Sequence, residues 1–146
     1  METILLYFVV GFILAEFLFE RWLDWLNMKH WKHEIPKEMD GFIDAAQYEK
    51  TQQYEKAKKH IGTLSSTLNT LVTVAFLLAG GFGWLYNYVS LFLESEYLRT
   101  LAFFGLLSTA SSIIGLPFSI YNIFVIEEQF GFNRYTVKLY ITDKIK

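Results

Sequence analysis

The sequence predicts an all-α fold class: a polytopic membrane protein with three transmembrane helices, a cytoplasmic amphipathic helix and an interfacial helical tail. Three observations predict it. The 146 residues are 53% hydrophobic. Their apolar residues gather in blocks at residues 4–26, 68–93 and 101–126, on the scale of the ~20 residues that cross a ~30 Å hydrocarbon layer. Lysine and arginine crowd one side of these blocks and are nearly missing from the other, the asymmetry that sets membrane orientation.

The first block, ILLYFVVGFILAEFLF, extends to Leu26 through Trp22, Leu23 and Trp25. A signal peptide is the competing reading, but no basic segment precedes the block, Glu16 interrupts it and no small-x-small cleavage site follows. A carboxyl group at membrane depth costs on the order of 3 kcal/mol. The twelve Leu, Ile, Val and Phe residues of residues 4–19 supply about 4 to 7 kcal/mol at the per-residue values for insertion, so the helix inserts in spite of Glu16. Two readings of Glu16 stand side by side: a group lining a polar interior, or an interfacial carboxylate beside Glu20 and Arg21.

Eight basic residues, Arg21, Lys29, Lys32, Lys37, Lys50, Lys56, Lys58 and Lys59, precede the second block, against Arg99 alone between the second and third. The first link and the tail carrying Arg134, Lys138, Lys144 and Lys146 are therefore expected in the cytoplasm, with the N-terminus outside it. Trp22, Trp25 and Trp31, interleaved with Lys29, His30, Lys32 and His33, read as an interfacial belt. Beyond a turn at Pro36, a charged helix with Tyr54, Ala57, Ile61, Leu64 and Leu68 on one face is expected to run unbroken into the second span. Ala75, Ala79 and Gly83 in that span, and Gly105, Ser108, Ser112, Gly115 and Ser119 in the third, recur at spacings of three and four that let helix backbones approach.

Several chemistries are excluded. With no cysteine there are no disulfides, thiolate nucleophiles or cysteine-bound metals, and a net charge of −2 does not suit nucleic acid. His33-Glu34-Ile35-Pro36-Lys37 begins like the zinc-binding His-Glu-x-x-His, but Lys37 replaces the second histidine and Pro36 breaks the helix that would align them. His30 and His33 read as an interfacial pair, and the glycines of AGGFGW lie inside an apolar span where no phosphate loop forms. No metal or catalytic residue is assigned.

The third span ends in FVIEEQFGFNRYT, residues 124–136. Glu127 and Glu128 are expected where the span meets water, paired with Arg134 or Lys138. Gly131 permits a left-handed turn, Phe130 and Phe132 plug it into the interface, and Asn133 is expected to cap a helix beginning around residues 134–140.

Here pattern passes into resemblance. Leu116, Pro117, Phe118 and Ser119, then Tyr121, Phe124, Val125, Ile126, Glu127 and Glu128, then Gly131, Phe132, Asn133 and Thr136, then Asp143 and Lys146, closely resemble a segment of the CaaX prenyl endopeptidase family of integral-membrane zinc metalloproteases. IPKEM and YEKTQQYEKAKKH upstream resemble the family's first cytoplasmic segment, and Phe130 stands where some members have histidine. The resemblance implies that residues 1–146 form an N-terminal membrane domain, part of a helical barrel around an intramembrane chamber, with Glu16 a chamber-facing candidate. It implies a whole protein that cleaves CaaX-type prenylated C-termini or misfolded membrane proteins. That protein would reside in the bacterial inner membrane or the eukaryotic endoplasmic reticulum, with the lipid bilayer, a C-terminal protease domain and the substrate as partners. The family's His-Glu-x-x-His is not in these residues, so zinc is expected in a catalytic domain beyond Lys146, and the chain is expected to be a fragment or truncated product that is inactive alone. The alternative is a non-catalytic membrane interaction module. By the same resemblance, the 127–133 turn is either a structural corner or part of the substrate entrance.

Overall fold

The structure, a computed structural model, describes residues 2–29 and 44–145. The readings placed on His30, Trp31, Lys32, His33, Pro36 and Lys37 lie outside the described residues. The described residues form five α-helices, α1 Glu2–Lys29, α2 Ala45–Leu78, α3 Gly81–Ser90, α4 Glu96–Tyr121 and α5 Val137–Ile145, and a π-helical stretch, Asn122–Glu127, that continues α4. Among the described residues there is no strand. Among the described residues three helical stretches are long and apolar enough to cross a membrane: Thr3–Lys29, Ala45–Leu78 and Glu96–Glu127, with mean hydropathies of 2.0, 1.6 and 1.7 in their most apolar windows. No more than 6% of any such window is buried, so the apolar side chains face outward, as lipid-facing helices require. The chain divides into two compact units, Met1–Trp31 with Ser65–Gly115, and Lys32–Leu64 with Leu116–Lys146.

In the first unit, on α1, Lys29 Nζ lies 5.2 Å over the Trp25 ring and Trp22 packs 5.7 Å from Phe19. Arg21 pairs with Asp24 at 3.2 Å and Glu20 at 3.6 Å, and it lies over the Phe17 ring at 5.3 Å. Glu16 is exposed.

The expected span over residues 68–93 is not one helix. α2 runs 34 residues, about 51 Å at 1.5 Å per residue, so the charged helix does enter the apolar stretch unbroken, but it stops at Leu78. Gly80 then adopts a left-handed φ of 70° and α3 begins at Gly81. The cause is glycine after a helix end, where the absent Cβ removes the penalty on positive φ. Hydrophobicity hides this signal because glycine is also common within membrane helices. The break removes Ala75, Ala79 and Gly83 from a common helix. α3 is anchored by Phe82, whose ring lies 4.9 Å from Phe76 and 6.4 Å from Phe103 of α4. Arg99, in the first turn of α4, donates from Nε to the carbonyl of Leu93 at 2.8 Å and from Nη2 to that of Glu94. It closes the link by holding carbonyls that no helix uses.

The third expected span, residues 101–126, falls within α4 and its π-helical continuation. Pro117 lies inside α4, where it withholds an N–H from the helical ladder, and five residues later the helix widens to the π form.

Candidate functional site

Residues 127–136 lie in the second unit, where three of the five buried apolar residues found among those described, Ile126, Phe130 and Tyr140, also lie.

The corner is built on Glu127. Its carbonyl accepts the N–H groups of Phe132 at 2.8 Å and Asn133 at 3.1 Å, a reversal that needs the left-handed φ of 74° at Gly131. Gly131 N–H donates to the Glu128 carbonyl at 3.0 Å. The left-handed turn expected at Gly131 is present, and it occupies the last carbonyls of the helix as a C-terminal cap does.

The carboxylates take partners other than the expected ones. Among the described residues, neither Glu127 nor Glu128 forms an ion pair with Arg134 or Lys138. Asn133 Nδ2 instead donates to Glu128 Oε2 at 2.8 Å, inside the turn. Asn122 Nδ2 lies 3.5 Å from Glu127 Oε1, and the π form accounts for this approach. Five residues of α-helix would turn about 140° past a full circle at 3.6 residues per turn, whereas a π turn closes on the fifth residue. The third partner comes from α2: Lys58 is hydrogen-bonded to Tyr54 and within electrostatic reach of Glu127.

Aromatic rings tie α2 to the corner. Tyr54 packs edge-on against Phe130 at 5.5 Å and Phe132 at 4.9 Å. Lys50 Nζ covers Phe132 at 5.5 Å, and Lys58 Nζ covers Tyr54 at 5.0 Å. Phe130 is buried, while Phe132 remains 46% exposed, so Phe130 supplies most of the anchoring expected of the pair.

Asn133 does not cap the following helix. Its Oδ1 accepts the Tyr135 N–H at 2.7 Å, a local turn, while Thr136 Oγ1 accepts the Leu139 N–H at 3.3 Å. Thr136 is thus the cap of α5, which begins at Val137, and the threonine immediately before that helix was the sequence signal for it. Tyr140 fastens α5 to the span end: it donates to Ser119 Oγ at 3.0 Å and packs 5.7 Å from Phe124.

The structure therefore assembles Glu127, Glu128, Gly131, Phe132 and Asn133 into one corner and sets Thr136 at the head of the next helix. Glu16 belongs to the other compact unit. Sequence reasoning missed Asn122, Lys50, Tyr54 and Lys58, of which the α2 residues are roughly seventy to eighty positions from the turn. Among the described residues no group of three or more His, Asp or Glu side chains is placed to hold a metal ion, and the corner pairs no nucleophile with a base. It holds a helix end, a reversal and a neighbouring helix in one geometry.

The family model described as "CAAX prenyl protease N-terminal, five membrane helices" matches residues 24–146. The CAAX prenyl protease 1 homolog of Arabidopsis thaliana is 34% identical over 146 residues, covering 94% of this chain and 34% of the relative. CAAX prenyl protease 1 of Saccharomyces cerevisiae is 32% identical over 149 residues, covering 94% and 33%. The crystal structure of S. mikatae Ste24p matches with a TM-score of 0.79 at 33% identity, over 93% of this chain and 33% of that one. The chain spans about a third of the length of these relatives. With its second and third apolar stretches and its turn motif within the matched residues, the chain belongs to the CAAX prenyl protease family and corresponds to its N-terminal membrane region.

Proposed function

We propose that residues 1–146 act as the N-terminal membrane domain of a zinc metalloendopeptidase that cleaves prenylated CaaX-type C-termini. The observation that supports this most is the agreement of sequence and fold together: 33% identity with a TM-score of 0.79 over 93% of the chain. Fold alone would leave the function open. In this reading the helices form part of the wall of an intramembrane chamber, and Glu16 faces that chamber because a carboxylate at membrane depth needs a polar surround. The zinc belongs to a catalytic domain outside these residues.

The N-terminus lies outside the cytoplasm and the protein resides in the endoplasmic reticulum of a eukaryote, or in the inner membrane of a bacterium. The orientation follows from the excess of basic residues before the second span, and the compartment from the family the chain belongs to. The 127–136 corner is structural, since the hydrogen-bonding groups that define it serve the turn itself.

The test joins this chain to the C-terminal two thirds of the Saccharomyces relative and assays proteoliposomes with a farnesylated CaaX peptide. The chain alone is expected to cleave nothing, and the fusion to cleave in a zinc-dependent manner. A fusion that is folded and zinc-loaded yet inactive, beside an active intact yeast enzyme, refutes the reading.

A further inference from the structure

From Val137 to Lys144, α5 buries only Tyr140. That side chain donates to Ser119 Oγ at 3.0 Å and packs 5.7 Å from Phe124. Ser119 stands eight residues before Glu127, where the apolar run ends, a distance of roughly 12 Å along a helix. A tyrosine side chain is shorter than that, so α5 lies beside the last turns of the third span and not out in the water above them.

The exposed residues of α5 are sorted by face. At about 100° per residue, Val137 and Ile141 form one stripe, 62% and 51% exposed, with Lys138 on one flank and Lys144 on the other. Asp143 falls nearly opposite Ile141. An apolar stripe bordered by lysines is the pattern of a helix lying in the headgroup layer, where lysine stems follow the acyl chains and the ammonium groups reach the phosphates. Among the described residues Arg134, Lys138 and Lys144 form no ion pair, although Lys144 Nζ lies 5.9 Å over the Tyr140 ring. Over residues 134–145 these three cations face Asp143 as the single acid.

We infer that α5 is a docking surface for anionic phospholipid: Val137 and Ile141 enter the boundary between headgroups and acyl chains, and Arg134, Lys138 and Lys144 bind the anionic headgroups around them. The occupant is lipid because the span to which Tyr140 fastens α5 is itself exposed along its apolar length, so the bilayer around α4 continues onto the stripe. It is anionic because a neutral headgroup would cover the stripe and leave the net positive charge of the segment unanswered. The inference uses the membrane-spanning character of α4 and is independent of the proposed activity.

The test places the whole chain in nanodiscs of phosphatidylcholine, alone or with about a third phosphatidylserine, the same lipid on both faces so that orientation does not enter. The sequence has no cysteine, so single nitroxides at Ile141→Cys and Asp143→Cys report depth. Ile141 is expected to meet dissolved oxygen and to be shielded from a water-soluble nickel chelate, and Asp143 the reverse. A basic residue at an anionic surface is worth about fivefold in binding, so phosphatidylserine should slow deuterium exchange over residues 134–145 by roughly tenfold or more, an effect that high salt removes. The combined variant Arg134→Gln, Lys138→Gln, Lys144→Gln should abolish the difference between the lipids while keeping the exchange rate seen in phosphatidylcholine. Arg134→Lys, Lys138→Arg, Lys144→Arg should retain the difference. Equal exchange in the two lipids, or a phosphatidylserine effect that survives the glutamine variant, overturns the inference. A nitroxide at Ile141 that meets nickel rather than oxygen refutes docking on lipid. Shielding of Ile141 from both reagents also overturns it and assigns the face to protein: to a second copy if the shielding follows the number of chains per nanodisc, and to the remainder of the enzyme if it appears only in the fusion.

Discussion

Replacing Gly131 separates a backbone requirement from a packing one. Its φ is +74°, and a Cβ added there would meet only Lys50 Nζ, at an ordinary 3.9 Å. Space is thus available, and the cost of any side chain is that of holding an L-residue in the left-handed region, about 1–2 kcal/mol. At about 2–4 °C per kcal/mol for a chain of this size, Gly131→Ala should lower the melting temperature of the detergent-solubilised protein by roughly 2–8 °C. Gly131→Val should lower it further, because a β-branched residue tolerates this region least. Gly131→Asn should cost the least of the three, since asparagine enters that region more readily. The assay is differential scanning fluorimetry with tryptophan emission, checked by hydrogen exchange at Phe132 and Asn133, whose N–H groups bond the Glu127 carbonyl. A Gly131→Val protein that melts with the wild type would show that the corner is not held in this conformation. Equal damage from Asn and Val would show that side-chain volume, not φ, limits the site.

Two further substitutions probe other joints. Gly81 is buried, and a Cβ there would collide with the Phe76 ring, whereas one on Gly83 meets nothing within 4 Å. Gly81→Ala should therefore lower the melting temperature by displacing Phe76 from Phe82, and Gly83→Ala should match or exceed the wild type, alanine being favoured over glycine in a helix by about 1 kcal/mol. Thr136→Ala should destabilise α5 by about 1 kcal/mol and speed amide exchange at Leu139, while Thr136→Ser retains the cap. Unchanged exchange in Thr136→Ala would return the capping role to another group.

Composition and the gathering of apolar residues into long blocks determined that this chain is helical and membrane-spanning, because burying backbone polar groups in hydrocarbon leaves the helix as the only open-ended solution. The reversal at Gly131 was equally legible, since glycine just past the end of an apolar helix enters the left-handed region without the Cβ penalty other residues meet there. The residues of 116–136 also made the family recognisable. Hydropathy, however, averages over a window of about 18 to 20 residues and cannot register one left-handed φ, so the break at Gly80 became visible only in three dimensions. The choice of cap between Asn133 and Thr136, two good capping residues three positions apart, was decided by which N–H groups the corner left free. Asn122 reaches Glu127 only because the helix widens to the π form beyond Pro117, a change in backbone geometry that side-chain chemistry does not announce. Lys50, Tyr54 and Lys58 join the site from α2, roughly seventy to eighty residues earlier, through contacts that depend on tertiary packing and have no period in the sequence to reveal them.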